Sequence, residues 1–130
     1  DNRGMRALLV EANALNLQIM QCLLEDAGAI VTVARDGAAA VEAVRSSPEG
    51  GFDAILMDIM MPVMDGLEAS RQIRALSRPD VANVPIIAMT ANAFEEDRKR
   101  SAEACMNDHL TKPLQPRLLM DTLAKYRKRP

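Results

Sequence analysis

The stretch Phe-Asp-Ala-Ile-Leu-Met-Asp at residues 52–58 holds a short apolar run that is closed by a carboxylate, Asp58. A short continuous apolar run is typical of a strand that is buried on both faces, as in a parallel sheet. We therefore expect a strand at Phe52–Met57. Comparable strand-like runs are found at Arg6–Val10, Ile30–Ala34, Val84–Met89 and His109–Thr111.

Segments with helical periodicity separate these runs. In the first of them Leu15, Ile19, Cys22 and Leu23 recur at helical spacing, Asn13 can cap the start, and Gly28 is a natural stop. Further helices are expected at Ala38–Ser46, Leu67–Leu76, Glu95–Met106 and Leu114–Arg127. Strands that alternate with helices at this spacing predict an α/β domain, with right-handed βαβ units and a parallel sheet covered on both faces.

The composition fits one domain with a single core, since the chain has 130 residues and 48% hydrophobic content. We expect residues 1–5 to be a linker remnant and residues 6–128 to form the domain. The net charge of -2 and the 2% aromatic content argue against direct nucleic-acid binding. No apolar run reaches 18 residues and no signal peptide precedes the domain, so we expect a cytoplasmic domain without membrane contact. Cys22 and Cys105 are interpreted as buried small hydrophobes, because neither has a metal-ligand neighbour.

Four polar residues directly follow the apolar runs: Glu11, Asp58, Thr90 and Lys112. Any one of them has a simpler interpretation, as the point where the chain meets water. In an open α/β sheet, however, sites form beyond the carboxyl ends of the strands, where these four would converge.

This combination of groups suits phosphoryl transfer. A carboxylate can act as the nucleophile and form an acyl phosphate. Catalysis then depends mainly on positioning and charge neutralisation, which the Lys112 ammonium and the Thr90 hydroxyl can supply. Mg²⁺ favours carboxylate and carbonyl oxygens and would bridge the nucleophile and the phosphoryl group.

Four motifs in this order resemble the response-regulator receiver family of two-component signalling, and the resemblance covers nearly the whole chain. They are LLVEAN at 8–13, MDIMMPVMDG at 57–66, MTAN at 89–92 and HLTKP at 109–113. The sequences of these motifs are most similar to those of receivers attached to hybrid sensor histidine kinases. The resemblance implies the flavodoxin-like fold, a five-stranded parallel sheet with strand order 2-1-3-4-5.

The resemblance also implies a role for each acidic residue. Asp58 would accept a phosphoryl group from a phosphohistidine on a histidine kinase or a histidine phosphotransfer domain. Glu11 and Asp58 would hold Mg²⁺, together with the backbone carbonyl of Met60.

The remaining roles implied by the resemblance belong to the last two strands. Thr90 would move toward the phosphoryl group, and Lys112 would pair with it. His109 would be the switch residue coupled to Thr90, where the family more often has Tyr or Phe. A second interpretation of His109 is a partly exposed strand residue.

The chain departs from the family pattern at Ala12, where the family normally has an acidic metal ligand. The site then has two carboxylates instead of three. One contact between a cation and a carboxylate near 4 Å is worth roughly 4 kcal/mol at an effective dielectric constant of 20, before desolvation is subtracted. We therefore expect weakened or absent Mg²⁺ binding and impaired phosphorylation.

Several functional classes remain open at this point. The first is a phosphorylatable receiver, and the second is a degenerate receiver used as a protein-interaction module because of Ala12. An aspartyl phosphatase or phosphotransferase would need a DxD motif after the first strand, and a flavin protein would need a Ser/Thr/Gly-rich phosphate loop there. Glu11–Asn13 offers neither. We do not expect an enzyme of the usual kind by itself, but a piece of a sensor histidine kinase, such as the cytoplasmic part of a membrane-bound one.

Overall fold

The computed structural model describes residues 4–47, 51–58, 66–76, 84–90, 108–111 and 116–125. The strands are β1 (Arg6–Val10), β2 (Ile30–Ala34), β3 (Ala54–Asp58), β4 (Ile86–Thr90) and β5 (Asp108–Thr111). The helices in this part of the chain are α1 (Ala14–Asp26), α2 (Gly37–Ser46), α3 (Gly66–Arg74) and α4 (Pro116–Lys125). The helix expected at Glu95–Met106 lies outside the described residues.

The five strands form one parallel sheet in the order β2-β1-β3-β4-β5. This confirms the predicted fold class and strand order. The chain begins with the interior strand β1, passes to the edge strand β2, and then crosses back to build β3, β4 and β5 on the other side of β1. All strands therefore place their carboxyl ends on the same edge of the sheet, where sites form in folds of this kind.

Both faces of the sheet are covered, because alternate residues of each strand point to opposite sides. Leu8 and Val10 of β1 pack in a core cluster with α2 and α3, whereas Leu9 packs in a second cluster with α1 and α4. The central strand β3 divides in the same way, and all five of its residues are buried. A strand buried on both faces needs the unbroken apolar sequence from which it was predicted.

The ends of α1 follow the predicted signals. Asn13 is the N-cap, and its side-chain oxygen accepts a hydrogen bond of 3.0 Å from the Asn16 N–H. At the other end Gly28 has a φ of 92°, a left-handed conformation that glycine adopts without a steric penalty. The Ala29 N–H then donates to the Leu24 carbonyl at 3.0 Å. This bond is the mark of a Schellman motif, which satisfies a carbonyl that the helix leaves open.

The buried face of α1 differs from the apolar spacing noted in the sequence. Met20 and Leu24 are the buried residues of the helix, whereas Leu15 and Ile19 are 65% and 51% exposed. Cys22 is also exposed, so its interpretation as a buried hydrophobe was wrong. The reason is that α1 carries apolar residues on two faces and can bury only one of them.

The described residues include two that precede the predicted domain boundary at residue 6. Met5 is buried in the core, and the Gly4 N–H donates to the Gly28 carbonyl at 2.8 Å. The boundaries at residues 6 and 128 stay a prediction. Among the described residues, no helix is long and apolar enough to cross a membrane.

Candidate functional site at the carboxyl edge of the sheet

The sheet register brings two of the predicted acidic residues side by side. Val10 of β1 is aligned with Met57 of β3. Glu11 directly follows Val10, and Asp58 directly follows Met57 as the last residue of β3. Neighbouring parallel strands are about 4.8 Å apart, so the backbones at Glu11 and Asp58 are separated by about that distance.

Both acidic residues are deeply buried at this edge. Glu11 is 1% exposed and Asp58 is 4% exposed. Two carboxylates about 5 Å apart repel by about 3 kcal/mol at an effective dielectric constant of about 20. Carboxylates rarely lie so deep unless hydrogen bonds, countercharges or a metal offset the cost of burial. Two neighbouring buried carboxylates therefore offer oxygen ligands to a cation that enters at this edge.

The strand order places the other predicted positions next to these two. Asp58 is aligned with Met89, so Thr90 ends β4 one residue beyond the level of Asp58. His109 lies in β5, where it is aligned with Ala88 of β4.

Two further predicted site residues are Lys112, which directly follows the last residue of β5, and Met60, which comes two residues after Asp58. Both lie outside the described residues. Their proposed roles therefore depend on sequence position.

Two helix starts frame the described part of the site. α1 starts after Asn13, directly beyond Ala12, and α2 starts after Asp36, just beyond β2. The Asp36 side chain accepts a hydrogen bond of 2.7 Å from the Ala39 N–H. Such capping bonds are worth about 1 kcal/mol each. The two caps fix where α1 begins after β1 and where α2 begins after β2. They therefore hold the backbone that follows Glu11 and the backbone that follows the neighbouring strand β2.

One residue near the site was not identified from the sequence. Arg35 directly follows β2, and its guanidinium Nη2 donates a hydrogen bond of 3.0 Å to the backbone carbonyl of Ala12. Its only sequence signal is its place between a strand and the N-cap residue Asp36. That signal does not reveal a contact between residues that are 23 positions apart.

The donor set suits a small hard cation, but it is sparse. The chemistry of two adjacent carboxylates matches the oxygen ligands that Mg²⁺ prefers. Ala12, the next residue after Glu11, has a methyl group instead of a third carboxylate. Within the described ranges, no group of three or more His, Cys, Asp or Glu side chains is placed to hold a metal ion.

Comparison with known sequences gives a consistent result. A family model described as "Response regulator receiver domain" matches residues 7–124. The sensor protein GacS of Pseudomonas syringae is 40% identical over 126 residues, which cover 96% of this chain. The histidine-protein kinase BarA of Escherichia coli is 37% identical over 124 residues, which cover 95% of this chain. The chain spans only 14% and 13% of the lengths of these two relatives.

Solved structures agree with the sequence relatives. The receiver domain of the sensor histidine kinase PA1611 from Pseudomonas aeruginosa, with a magnesium ion coordinated in its active site cleft, is 41% identical with a TM-score of 0.85. That match covers 95% of this chain and 97% of the other. A co-crystal structure from Saccharomyces cerevisiae contains the histidine phosphotransfer protein Ypd1 and the receiver domain of Ssk1. The match to it has a TM-score of 0.85 at 30% identity and covers 95% of this chain and 89% of the matched chain. The chain described here belongs to the response regulator receiver domain family.

Proposed function

We propose that the chain is a phosphoacceptor in a two-component phosphorelay and that Asp58 receives the phosphoryl group. The observation that carries the proposal is the buried Asp58 carboxylate at the carboxyl edge of the sheet, in register with Glu11. An oxygen of Asp58 attacks the phosphorus of a phosphohistidine while the P–N bond breaks. The electron pair of that bond leaves with the imidazole ring, and an acyl phosphate forms on Asp58.

The negative charge at this edge needs compensation before a phosphoryl group can approach. Glu11 and Asp58 would hold Mg²⁺ through their carboxylates, and Met60 would contribute its backbone carbonyl. The bound ion would supply charge neutralisation for the phosphoryl oxygens. Because Ala12 offers no carboxylate, we propose that this chain holds Mg²⁺ more weakly than a site with three acids.

The last two strands would supply the remaining polar groups. Thr90 ends β4 one residue beyond the level of Asp58, and this position supports its role as a hydroxyl donor to the phosphoryl oxygens. Lys112 directly follows β5, which supports a cationic partner for the same oxygens. We assign His109 as the switch residue whose position responds to the movement of Thr90. Thr90 lies in β4 and His109 lies in the neighbouring strand β5, which supports this coupling.

The experiment is a mass measurement on the intact chain after incubation with a small phosphodonor and Mg²⁺. The expected result is the addition of one phosphoryl group, which fragment analysis locates at Asp58. An Asp58→Asn variant should gain no mass under the same conditions. An Asp53→Asn variant is the matched control, because it removes a carboxylate from the opposite edge of the sheet and should be phosphorylated normally.

Ala12 favours a second candidate function, a degenerate receiver that binds a protein partner without being phosphorylated. A folded chain that gains no mass, even at high Mg²⁺, would support this second function. Recovery of the mass shift in an Ala12→Asp variant would then assign the loss to the missing carboxylate.

The partner would be a histidine kinase or a histidine phosphotransfer domain, and we propose that it docks on α1. The exposed residues Leu15, Ile19 and Cys22 form an apolar stripe on this helix. The helix starts directly beyond Ala12, so a partner on the stripe lies close to Asp58. Exposed apolar surface at a site edge is a common mark of a protein interface.

Docking on this stripe can be separated from chemistry. An Ile19→Glu variant should lose about tenfold in the rate of phosphotransfer from a phosphohistidine protein, which corresponds to one interface hot spot. Its phosphorylation by a small phosphodonor should not change. Leu118→Glu is the matched control, because Leu118 is an exposed apolar residue on a different helix, α4. Equal losses in both variants would contradict the proposed docking surface.

The relatives also suggest the context in which the domain works. The matched segments of GacS and BarA are small parts of long sensor proteins. We propose that this chain is likewise a domain of a hybrid sensor histidine kinase.

A further inference from the structure

The contact between Arg35 and Ala12 places a guanidinium beside the residue at which the family pattern expects an acid. The Arg35 guanidinium donates to the carbonyl of Ala12 at 3.0 Å, so it lies against the connection that follows β1. The Ala12 side chain contributes no charge there. Arg35 is exposed, and among the described residues it forms no ion pair.

The sheet register shows how close this charge lies to the acidic residues. Val10 is aligned with Ala34, and the Glu11 N–H donates to the Ala34 carbonyl at 3.1 Å. Arg35, Glu11 and Asp58 therefore lie at the same level at the carboxyl ends of three neighbouring strands, with Glu11 in the middle. Two strand spacings amount to about 10 Å, which is the backbone separation expected between Arg35 and Asp58.

A charge at this distance acts on whatever enters the site. About 10 Å is the screening length at an ionic strength of 0.1 M, so the interaction survives at low salt and fades at high salt. The guanidinium reaches the carbonyl of Ala12, the residue directly after Glu11, so its charge lies against the connection that follows β1. It therefore repels a divalent cation and attracts a phosphoryl group.

We propose that Arg35 is a charge-compensating residue of this site. A third acidic ligand would bring positive charge to the site by binding Mg²⁺ more tightly, and the Arg35 guanidinium supplies part of that positive charge instead. It lowers the affinity for Mg²⁺ and favours the phosphoryl group at the same time. Ala12 and Arg35 act together in this proposal: position 12 adds no carboxylate, and the guanidinium beside it adds positive charge. The phosphoryl half of this inference rests on the proposed function, whereas the Mg²⁺ half does not.

The first test is a calorimetric titration of the intact chain with Mg²⁺ at low salt. An Arg35→Gln variant should bind Mg²⁺ about two- to fivefold more tightly, the range expected for a partly solvated charge interaction. An Arg35→Lys variant keeps the charge and should bind like the wild type. The gain of the Gln variant should shrink as the salt concentration rises.

The matched control is Arg45→Gln, because it changes the net charge equally. Arg45 lies in the last turn of α2, far from the start of that helix at the site, and its ion pair is with Glu42. Thermal unfolding of each variant shows that it is folded. An equal affinity gain in the Arg45 and Arg35 variants, or a Lys variant that behaves like Gln, would overturn the proposal, since a purely structural tie depends on the hydrogen bond and not on charge.

The second test measures the coupling between positions 12 and 35. In an Ala12→Asp background, Arg35 should form an ion pair with the new carboxylate and compete with Mg²⁺ for it. Arg35→Gln should then raise the Mg²⁺ affinity by a larger factor than it does in the wild type. Strictly multiplicative effects would mean that the guanidinium does not act at position 12.

The third test concerns phosphorylation at limiting Mg²⁺. Arg35→Gln should reduce the rate of modification of Asp58 by a small phosphodonor about two- to fivefold, and Arg35→Lys should retain it. An unchanged rate in the Gln variant would overturn the phosphoryl half of the proposal. If the wild type is not modified at all, the proposed function fails, while the Mg²⁺ titrations still decide whether Arg35 compensates charge.

Discussion

The two edges of the sheet treat their acidic residues in opposite ways. The amino edge is the side of the sheet where the amino ends of the strands lie. There Asp53 accepts a hydrogen bond of 2.8 Å from the Arg6 N–H and forms an ion pair of 3.6 Å with the Arg6 guanidinium. Asp108, at the start of β5, forms an ion pair of 3.2 Å with Lys125 of α4. Each of these carboxylates has a cationic partner from the nearest element.

The carboxyl edge instead gathers like charges. Glu11 and Asp58 lie at the carboxyl ends of neighbouring strands and are more deeply buried than Asp53, whose side chain is 13% exposed. Arg35 donates to a backbone carbonyl there and not to a carboxylate. The two edges therefore differ in arrangement: the acids at the amino edge each pair with a base, whereas two acids at the carboxyl edge are buried side by side, as acids of functional sites often are.

The largest expected effect is a difference in the sign of two stability changes. Asp53→Asn should lower the free energy of unfolding by about 1–2 kcal/mol, because it weakens a charged hydrogen bond and an ion pair. Asp58→Asn should raise it by about 1 kcal/mol, because it removes a buried charge beside Glu11. Urea denaturation measures both values. Two changes of the same sign would remove the contrast between the edges.

A smaller effect is expected when a carboxylate is restored at the carboxyl edge. Ala12→Asp should raise the affinity for Mg²⁺ by at least about tenfold, equal to about 1.4 kcal/mol, which is part of the Coulomb energy of one added contact. Calorimetric titration measures the change. Ala75→Asp is the control, because Ala75 is exposed just beyond the end of α3. Equal Mg²⁺ affinities in the wild type and the Ala12→Asp variant would contradict the assignment of this edge as the metal site.

The frame of the site can be tested through its capping residue. Asp36→Ala should lower the free energy of unfolding by about 1 kcal/mol, because α2 loses the side-chain acceptor of the Ala39 N–H. Asp36→Ser should retain most of the stability, since serine also caps helices well. Thermal or urea unfolding distinguishes the two variants. A serine variant as unstable as the alanine variant would show that the Asp36 charge acts by another route than the cap.

The smallest effect is expected at the surface of the amino edge. Lys125→Gln removes the ion pair with Asp108, but the Lys125 side chain is 64% exposed. The free energy of unfolding should therefore fall by no more than about 0.5 kcal/mol, and the change should vanish at high salt. A loss that persists at high salt would show that this contact depends on packing and not on charge.

The sheet could be predicted from the sequence because its strands are apolar on both sides. Each predicted strand is present. The range of β3 is shifted from Phe52–Met57 to Ala54–Asp58, that of β4 is shifted from Val84–Met89 to Ile86–Thr90, and β5 begins one residue earlier than expected, at Asp108. Asp58 thus belongs to β3 and does not follow it. The predicted cap at Asn13 and stop at Gly28 are confirmed, since both depend on local backbone geometry that a single residue can determine.

Features that depend on contacts between distant segments could not be predicted in this way. Periodicity cannot decide which apolar face of α1 is buried, because Leu15 and Ile19 compete with Met20 and Leu24. The contact of Arg35 with Ala12 depends on the adjacency of β1 and β2 and on the conformation of a long side chain. For the candidate site, strand order places Glu11 and Asp58 together, while the roles of Met60, Thr90, His109 and Lys112 stay predictions.

The interior position of β1, between β2 and β3, limits how this chain can change by insertion or deletion. Its residues alternate between the two core clusters and end directly before Glu11. Removal of one residue from β1 would exchange the inward sides of Leu8 and Leu9 and would move Glu11 away from the level of Asp58. Exchanges among Leu, Ile and Val in the same strand change only packing and are better tolerated. The length of β1 is therefore more tightly constrained than its composition.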